Sequence, residues 1–122
     1  MDVAALLARV PTPSAEDMLR RRDLAQHYTL VFLRKGPTPY IDEEQDERFQ
    51  LEHLQHLTKL QLLGKLVLNG PTLVDHEIIG VSVYATGLEE ARAFAEADPK
   101  VHAGYLTVEA IPWIAVPANP PS

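Results

Sequence analysis

The chain has 122 residues, 46% of them hydrophobic and 23% charged, which suits one folded domain with its own core and leaves no room for two ordinary ones. Its formal net charge of −6 repels phosphate backbones and anionic headgroups, so neither nucleic acid nor a membrane surface is an expected partner. The absence of cysteine removes disulfides, thiolate nucleophiles and Cys-based zinc sites together.

The N-terminus, MDVAALLARVP, lacks the basic start and the apolar run of a signal peptide, and a cytoplasmic location is expected. Residues 1–26 read as a helical extension in two pieces. Pro11 and Pro13 separate VAALLARV from a second segment, where Ser14 followed by Glu16 and Asp17 supplies an N-cap with acids in the first turn. His27 to Lys35, HYTLVFLRK, is β-branched and aromatic and stops at Gly36-Pro37, a strand signal. Tyr28, Leu30 and Phe32 point to one side and Thr29, Val31 and Leu33 to the other, so both faces are mostly apolar and the strand is central.

A turn-rich GPTPYIDEEQ leads into a helix from about Glu43 to Leu63, with acids at its start and Gly64 as the C-terminal cap. KLVLNGP is a short second strand. EIIGVSVYA from Glu77 is a third, with Gly80 marking a bulge or a close approach, and the two are expected to pair antiparallel through PTLVDH. Leu88 to Asp98, LEEARAFAEAD, is an amphipathic helix. After Asp98-Pro99 and a short turn to Gly104, YLTVEAIPWIAV returns to strand spacing, and Pro112 and Glu109 suit an edge. The tail PANPPS, residues 117–122, reads as a flexible end.

The order is therefore β-α-β-β-α-β after a helical extension, the α+β ferredoxin-like arrangement. Right-handed crossovers place both main helices on one face of a four-stranded antiparallel sheet. The other face would then expose an apolar patch, and a second copy packed sheet against sheet, a dimeric α+β barrel, is its simplest cover.

The helix stretch LEHLQHLTKL carries two imidazoles among its leucines. At about 100° per residue, with Phe49 at zero, Leu60 falls near 20° and Leu57 near 80°, while His53 lies near 40° and His56 near 340°. Both histidines sit inside the apolar arc. A buried histidine usually packs like an aromatic ring with its nitrogens satisfied by backbone or a carboxylate, and chemistry is the less common use. A metal is not expected: His53 and His56 are at i and i+3 with Glu52 beside them, but there is no HExxH and no third ligand in a recognisable pattern. Asp98 before Pro99 is by itself a good helix N-cap. G-x-S-x-G, GxGxxG and P-loop patterns are absent.

Three stretches together, HLTKLQLLGKLVLNGP, LEEARAFAEADPKVHAG and VEAIPW, resemble the YCII-related proteins over roughly residues 27–116. In that family a helix histidine precedes the helix-ending glycine by eleven residues, a Gly-Pro follows, and a DP-x-V-x-A-G segment leads into the last strand. The resemblance implies a ferredoxin-like domain at 27–116, a homodimer of the α+β barrel type and a His/Asp pair as the catalytic site. Eleven residues before Gly64 stands His53, and the aspartate of the DP segment is Asp98. The family often has arginine three residues before its histidine; here Gln50 stands there, which leaves Arg48 or Arg34 as substitutes and His56 as a pocket-lining ring. The family's glycine-rich hairpin is replaced by PTLVDHE, bringing Asp75 and His76.

The resulting expectation is a small-molecule enzyme without a cofactor, with His53 as general base and Asp98 fixing its tautomer. An isomerase, or a lyase of the dehydrochlorinase type known in one branch of the family, acting on a small cyclic or aromatic-derived compound, is what the resemblance implies. The alternative is a non-catalytic dimeric binding or accessory module in which His53 and Asp98 form a structural hydrogen bond.

Overall fold

The computed structural model describes residues 1–39 and 42–118, which form two compact units: residues 1–26 with 115–118, and the described residues of 27–114. Of the tail expected to be flexible, residues 119–122 lie outside the described residues.

The first unit carries α1 (Val3–Leu7) and α2 (Ala15–Arg22). Asp2 caps α1, and a reciprocal capping box between Ser14 and Asp17 starts α2, whose last turn holds Arg20, Arg21 and Arg22 where the helix dipole favours cations. Ser14, chiefly through its backbone N–H, holds the Asp17 carboxyl below its ordinary range.

The second unit is built on β1 (Gln26–Lys35), α3 (Glu43–Leu62), β2 (Leu66–Pro71), β3 (Ile78–Tyr84), α4 (Leu88–Glu96), α5 (Pro99–His102) and β4 (Leu106–Ala115). The sheet order is β2-β3-β1-β4, with β3 antiparallel to both β2 and β1, the ferredoxin-like α+β topology. β1 is central and β4 is an edge, as their composition predicts. On β1 the alternation separates the buried Thr29, Val31 and Leu33 from the half-buried Tyr28, Leu30 and Phe32.

The buried row of β1 meets Leu57 and Leu60 of α3, Ala91 and Ala95 of α4, Leu66, Tyr84 and Leu106 in one core. Tyr84 stacks on Phe94 at 6.3 Å, joining β3 to α4, and Phe49 of α3 packs on Tyr105 at 5.0 Å. Two leucines at the helix surface are not covered: Leu63 is 70% exposed because α3 has ended there, and Leu54 is 48% exposed because it borders a cleft. The register of β3 against β1 slips next to Gly80, between Leu33 and Arg34, where the glycine anticipates an irregularity.

The segment expected to be a simple turn after Asp98 is the short helix α5, which that residue caps. Gly64, at φ 74°, terminates α3 as expected, and Gly104, at φ 85°, turns the chain from α5 into β4. Among the described residues no helix is long and apolar enough to cross a membrane.

Candidate functional site

His53 lies midway along α3, and Asp98 stands at the exit of α4, where it begins α5. Forty-five residues separate them in sequence, and the fold closes that gap: His53 Nδ1 and Asp98 Oδ2 are hydrogen-bonded. Asp98 is 2% exposed, and its other oxygen, Oδ1, accepts the Lys100 backbone N–H at 2.9 Å. Each carboxylate oxygen thus has its own donor, which is how a buried charge is tolerated. An ionised carboxylate can only accept, so Nδ1 carries the ring proton and Nε2 is left with a lone pair.

The same two helices are joined a second time. Lys100 Nζ donates to Gln50 Oε1 at 2.5 Å, and Gln50 is one helical turn before His53 on the same face of α3. Both bridges therefore run from α5 to one stripe of α3, which holds the imidazole against rotation.

His53 lines a cleft of about 200 Å³ between α3 and the β2-β3 side of the sheet. The cleft exists because β3 presents its smallest side chains to the helices. Gly80 and Ser82 are buried, helix-facing positions there, where the neighbouring β1 carries Leu33 and Val31. Asn69 at the end of β2 and Lys100 add polar groups, while Leu33, Leu54 and Leu57 make much of the wall apolar. A polar base and a few polar groups in an otherwise apolar recess have the composition of a small-molecule site.

Tyr84 is buried beneath this region, and its hydroxyl is pushed up to about 12, first by burial and then by the charge of Asp98. It remains neutral at physiological pH.

The remaining candidate residues are placed elsewhere. His56 Nε2 donates to the Phe94 carbonyl at 2.7 Å, a satisfied half-buried ring that ties α3 to α4 and does not line the cleft. Arg34 is engaged by Glu77 at 2.9 Å and by Glu109 at 2.5 Å, and these carboxylates, Glu109 foremost, strengthen its hold on its proton. It borders a separate depression together with Asp75 and His76, so the structure does not bring these three residues to His53. Arg48 stacks its guanidinium over Phe49 at 5.1 Å and is not in the cleft wall either. Among the described residues no group of three or more His, Cys, Asp or Glu is arranged to hold a metal ion.

Sequence reasoning passed over Lys100, Ser82 and Asn69. Gly80 and Ser82 were visible as small residues two apart in a strand, but their meaning depends on which face the helices cover. Lys100 was visible only as a variable position two residues beyond Asp98.

A model of the YCII-related domain matches residues 27–114. No curated protein sequence matches the chain significantly. Among solved structures, the chain is similar to the 5-chloro-2-hydroxyhydroquinone dehydrochlorinase of Burkholderia phenoliruptrix AC1100, a structure in complex with 2,5-dihydroxybenzoquinone. The TM-score is 0.52 at 21% identity, over 70% of this chain and 92% of that one. At that identity the likeness bears on the fold.

Proposed function

The chain belongs to the YCII-related family, and from that premise we propose that it is a small-molecule enzyme in which His53 and Asp98 perform acid-base chemistry. The observation that carries the reading is the hydrogen bond from His53 Nδ1 to a buried carboxylate, at the wall of a cleft that can admit a ligand. Asp98 directs the free lone pair to Nε2 and favours the imidazolium that forms when Nε2 takes a proton. His53 can then return that proton to a different atom of the substrate, which is an isomerisation, or leave the electron pair to expel a leaving group, which is an elimination. The dehydrochlorinase of similar fold makes elimination from a substituted hydroquinone the natural first class to try. The cleft, smaller than a drug-sized pocket, suits a monocyclic compound. No cofactor is needed for either step.

We also propose that two copies associate through the open sheet face. Leu30 and Phe32 of β1 stand there beside Val81 and Val83 of β3, half-buried in the single chain, and Trp113 of β4 is 42% exposed.

The test is a screen of halogenated hydroquinones, lactones and small cyclic acids with wild type, His53→Gln and Asp98→Asn. Glutamine keeps a donor for Asp98 but supplies no base, so His53→Gln should keep its fold and lose turnover. Asp98→Asn should slow turnover by on the order of a thousandfold, because an amide cannot enforce the Nδ1-protonated tautomer. Wild-type rates in His53→Gln would sink the proposal.

One observation favours a second reading. Asp98 also caps α5, so its contact with His53 could serve only to lock α3 to α5 in a ligand-binding module. In that case Asp98→Asn, still a capable N-cap, lowers stability through the His53 contact and no compound in the screen is turned over.

A further inference from the structure

The cleft beside His53 has one feature that the acid-base pair does not use. Of the 14 residues that line it, none is an aspartate or glutamate, and besides the His53 imidazole the one ionisable side chain is Lys100. In a protein with a formal net charge of −6, that wall carries no acidic side chain of its own, and the Asp98 carboxylate lies buried behind it, bonded to His53 and to the Lys100 backbone.

The charge of Lys100 is also not spent internally. Its ammonium rests on Oε1 of Gln50, a neutral amide oxygen, at 2.5 Å. Three other basic groups at the surface are paired with carboxylates: Arg34 with Glu77 and Glu109, Lys65 with Glu90 at 3.3 Å, Arg20 with Glu16 at 3.1 Å. Arg34 borders the larger depression, but its two glutamates already neutralise it, and that depression carries Asp75 as well. At the wall of the cleft at His53, the Lys100 ammonium is held in place by a neutral amide and has no carboxylate partner among the described residues.

Gln50 fixes the direction of the ammonium without cancelling it, and the backbone N–H of the same Lys100 holds Asp98 Oδ1. The position of the cation is thus tied to the position of the base through one short stretch of chain. Across from it, Leu54, Leu57 and Leu33 offer apolar surface to the body of a ligand.

We propose that Lys100 is the specificity-determining residue of this site and that the cleft selects a small ring compound bearing one anionic group, a carboxylate or an ionised ring hydroxyl. The ammonium takes the anionic oxygen, Gln50 steadies it, and the apolar wall receives the ring, which brings the remaining ring atoms to the His53 side. The inference rests on the cleft being the substrate site, but it concerns recognition and can be tested apart from turnover.

The probes are 4-hydroxybenzoate and 4-hydroxybenzamide, which share a shape and differ in charge, titrated into the full chain and followed by amide NMR shifts of Asn69, Gly70 and Ser82. A charge-assisted hydrogen bond predicts that wild type binds the benzoate on the order of tenfold more tightly, with the advantage shrinking as salt is added. Lys100→Met keeps the backbone N–H that Asp98 needs and should bind the two probes equally, whereas Lys100→Arg should retain the preference. His53→Gln should retain it too, since the charge that is read belongs to Lys100. A preference that survives in Lys100→Met, equal affinities in wild type, or no shift with either probe overturns the inference. If His53→Gln abolishes the preference while Lys100→Met keeps it, the imidazolium is what reads the anion; the role of Lys100 then fails and the acid-base proposal stands. If the preference follows Lys100 but no compound is ever turned over, the acid-base proposal fails and the anion site stands.

Discussion

Tyr84 illustrates how one buried side chain reports on another. Its ring is stacked on Phe94 and 1% exposed, and the Asp98 carboxylate adds its charge to the burial that already disfavours a phenolate. The folded-state value of about 12 stands above the ordinary 10.0, so between those values the unfolded chain releases a proton that the folded chain keeps. The sign follows: the contribution of Tyr84 is fully present below pH 10 and is lost as pH rises towards 12. Stability should fall by roughly 2 kcal/mol over that window. Urea midpoints measured up the alkaline range should show the decline in wild type and much less of it in Tyr84→Phe. In absorbance titrations one of the four tyrosines should ionise late. An unchanged decline in Tyr84→Phe would assign it to another group. The two histidines of α3 separate at this scale as well. Their helical positions are equally apolar, and what distinguishes them is the atom each ring meets: a carboxylate for His53, a backbone carbonyl for His56.

Among the elements, α5 is the one that assembles the site. It is a single helical turn, too short to be stable alone, and it is held by what surrounds it. Gly36 N donates to the Tyr105 carbonyl at 2.8 Å and Thr38 N to the Gly104 carbonyl at 3.0 Å, which docks the chain after β1 onto the exit of α5. Thr38 Oγ1 adds a bond to the Ala103 carbonyl at 2.8 Å. This close approach requires glycine twice: a Cβ on Gly36 would run into the Gly104 carbonyl, and one on Gly104 would strike Thr38 Oγ1. Gly64 provides an internal control, because it shares the positive φ of Gly104 but has open space where a Cβ would go. Gly64→Ala should cost about 1 kcal/mol, the penalty of the left-handed backbone alone, and Gly104→Ala at least about twice that, because the collision is added. Chemical denaturation of both variants checks the difference, and equal losses would mean that the loop after β1 yields freely. The DP-x-V-x-A-G segment was legible as a motif, and its helical turn was not, since four residues are too few to show a 3.6-residue period.

For the whole molecule, the alternation along β1 has the largest consequence. Thr29, Val31 and Leu33 are covered by the helices of the same chain, whereas Tyr28, Leu30 and Phe32 face away from them and remain half-buried. If a second copy covers that face, sedimentation should give twice the protomer mass, and Phe32→Glu should shift the protein to the protomer mass while its helix-facing core stays folded by circular dichroism. A wild-type protein that sediments as a single chain at high micromolar concentration would refute the association. The fold itself was largely readable from local pattern: strand alternation, the capping signals at Ser14 and Gly64, and the punctuation at Gly36-Pro37 each act within a few residues. What sequence determined by itself was therefore the set of elements other than α5, their order and the α+β topology that short connections and right-handed crossovers then impose. It also singled out His53 and Asp98, through a motif spacing and not through any contact it could display. The meeting of those two residues, the cleft left by Gly80 and Ser82, and the approach of Lys100 to Gln50 were decided only by tertiary structure. Each is a relation between residues far apart in the chain, 45 positions for His53 and Asp98 and 50 for Gln50 and Lys100, and such relations arise when helices settle on a sheet face, a step that no local periodicity encodes.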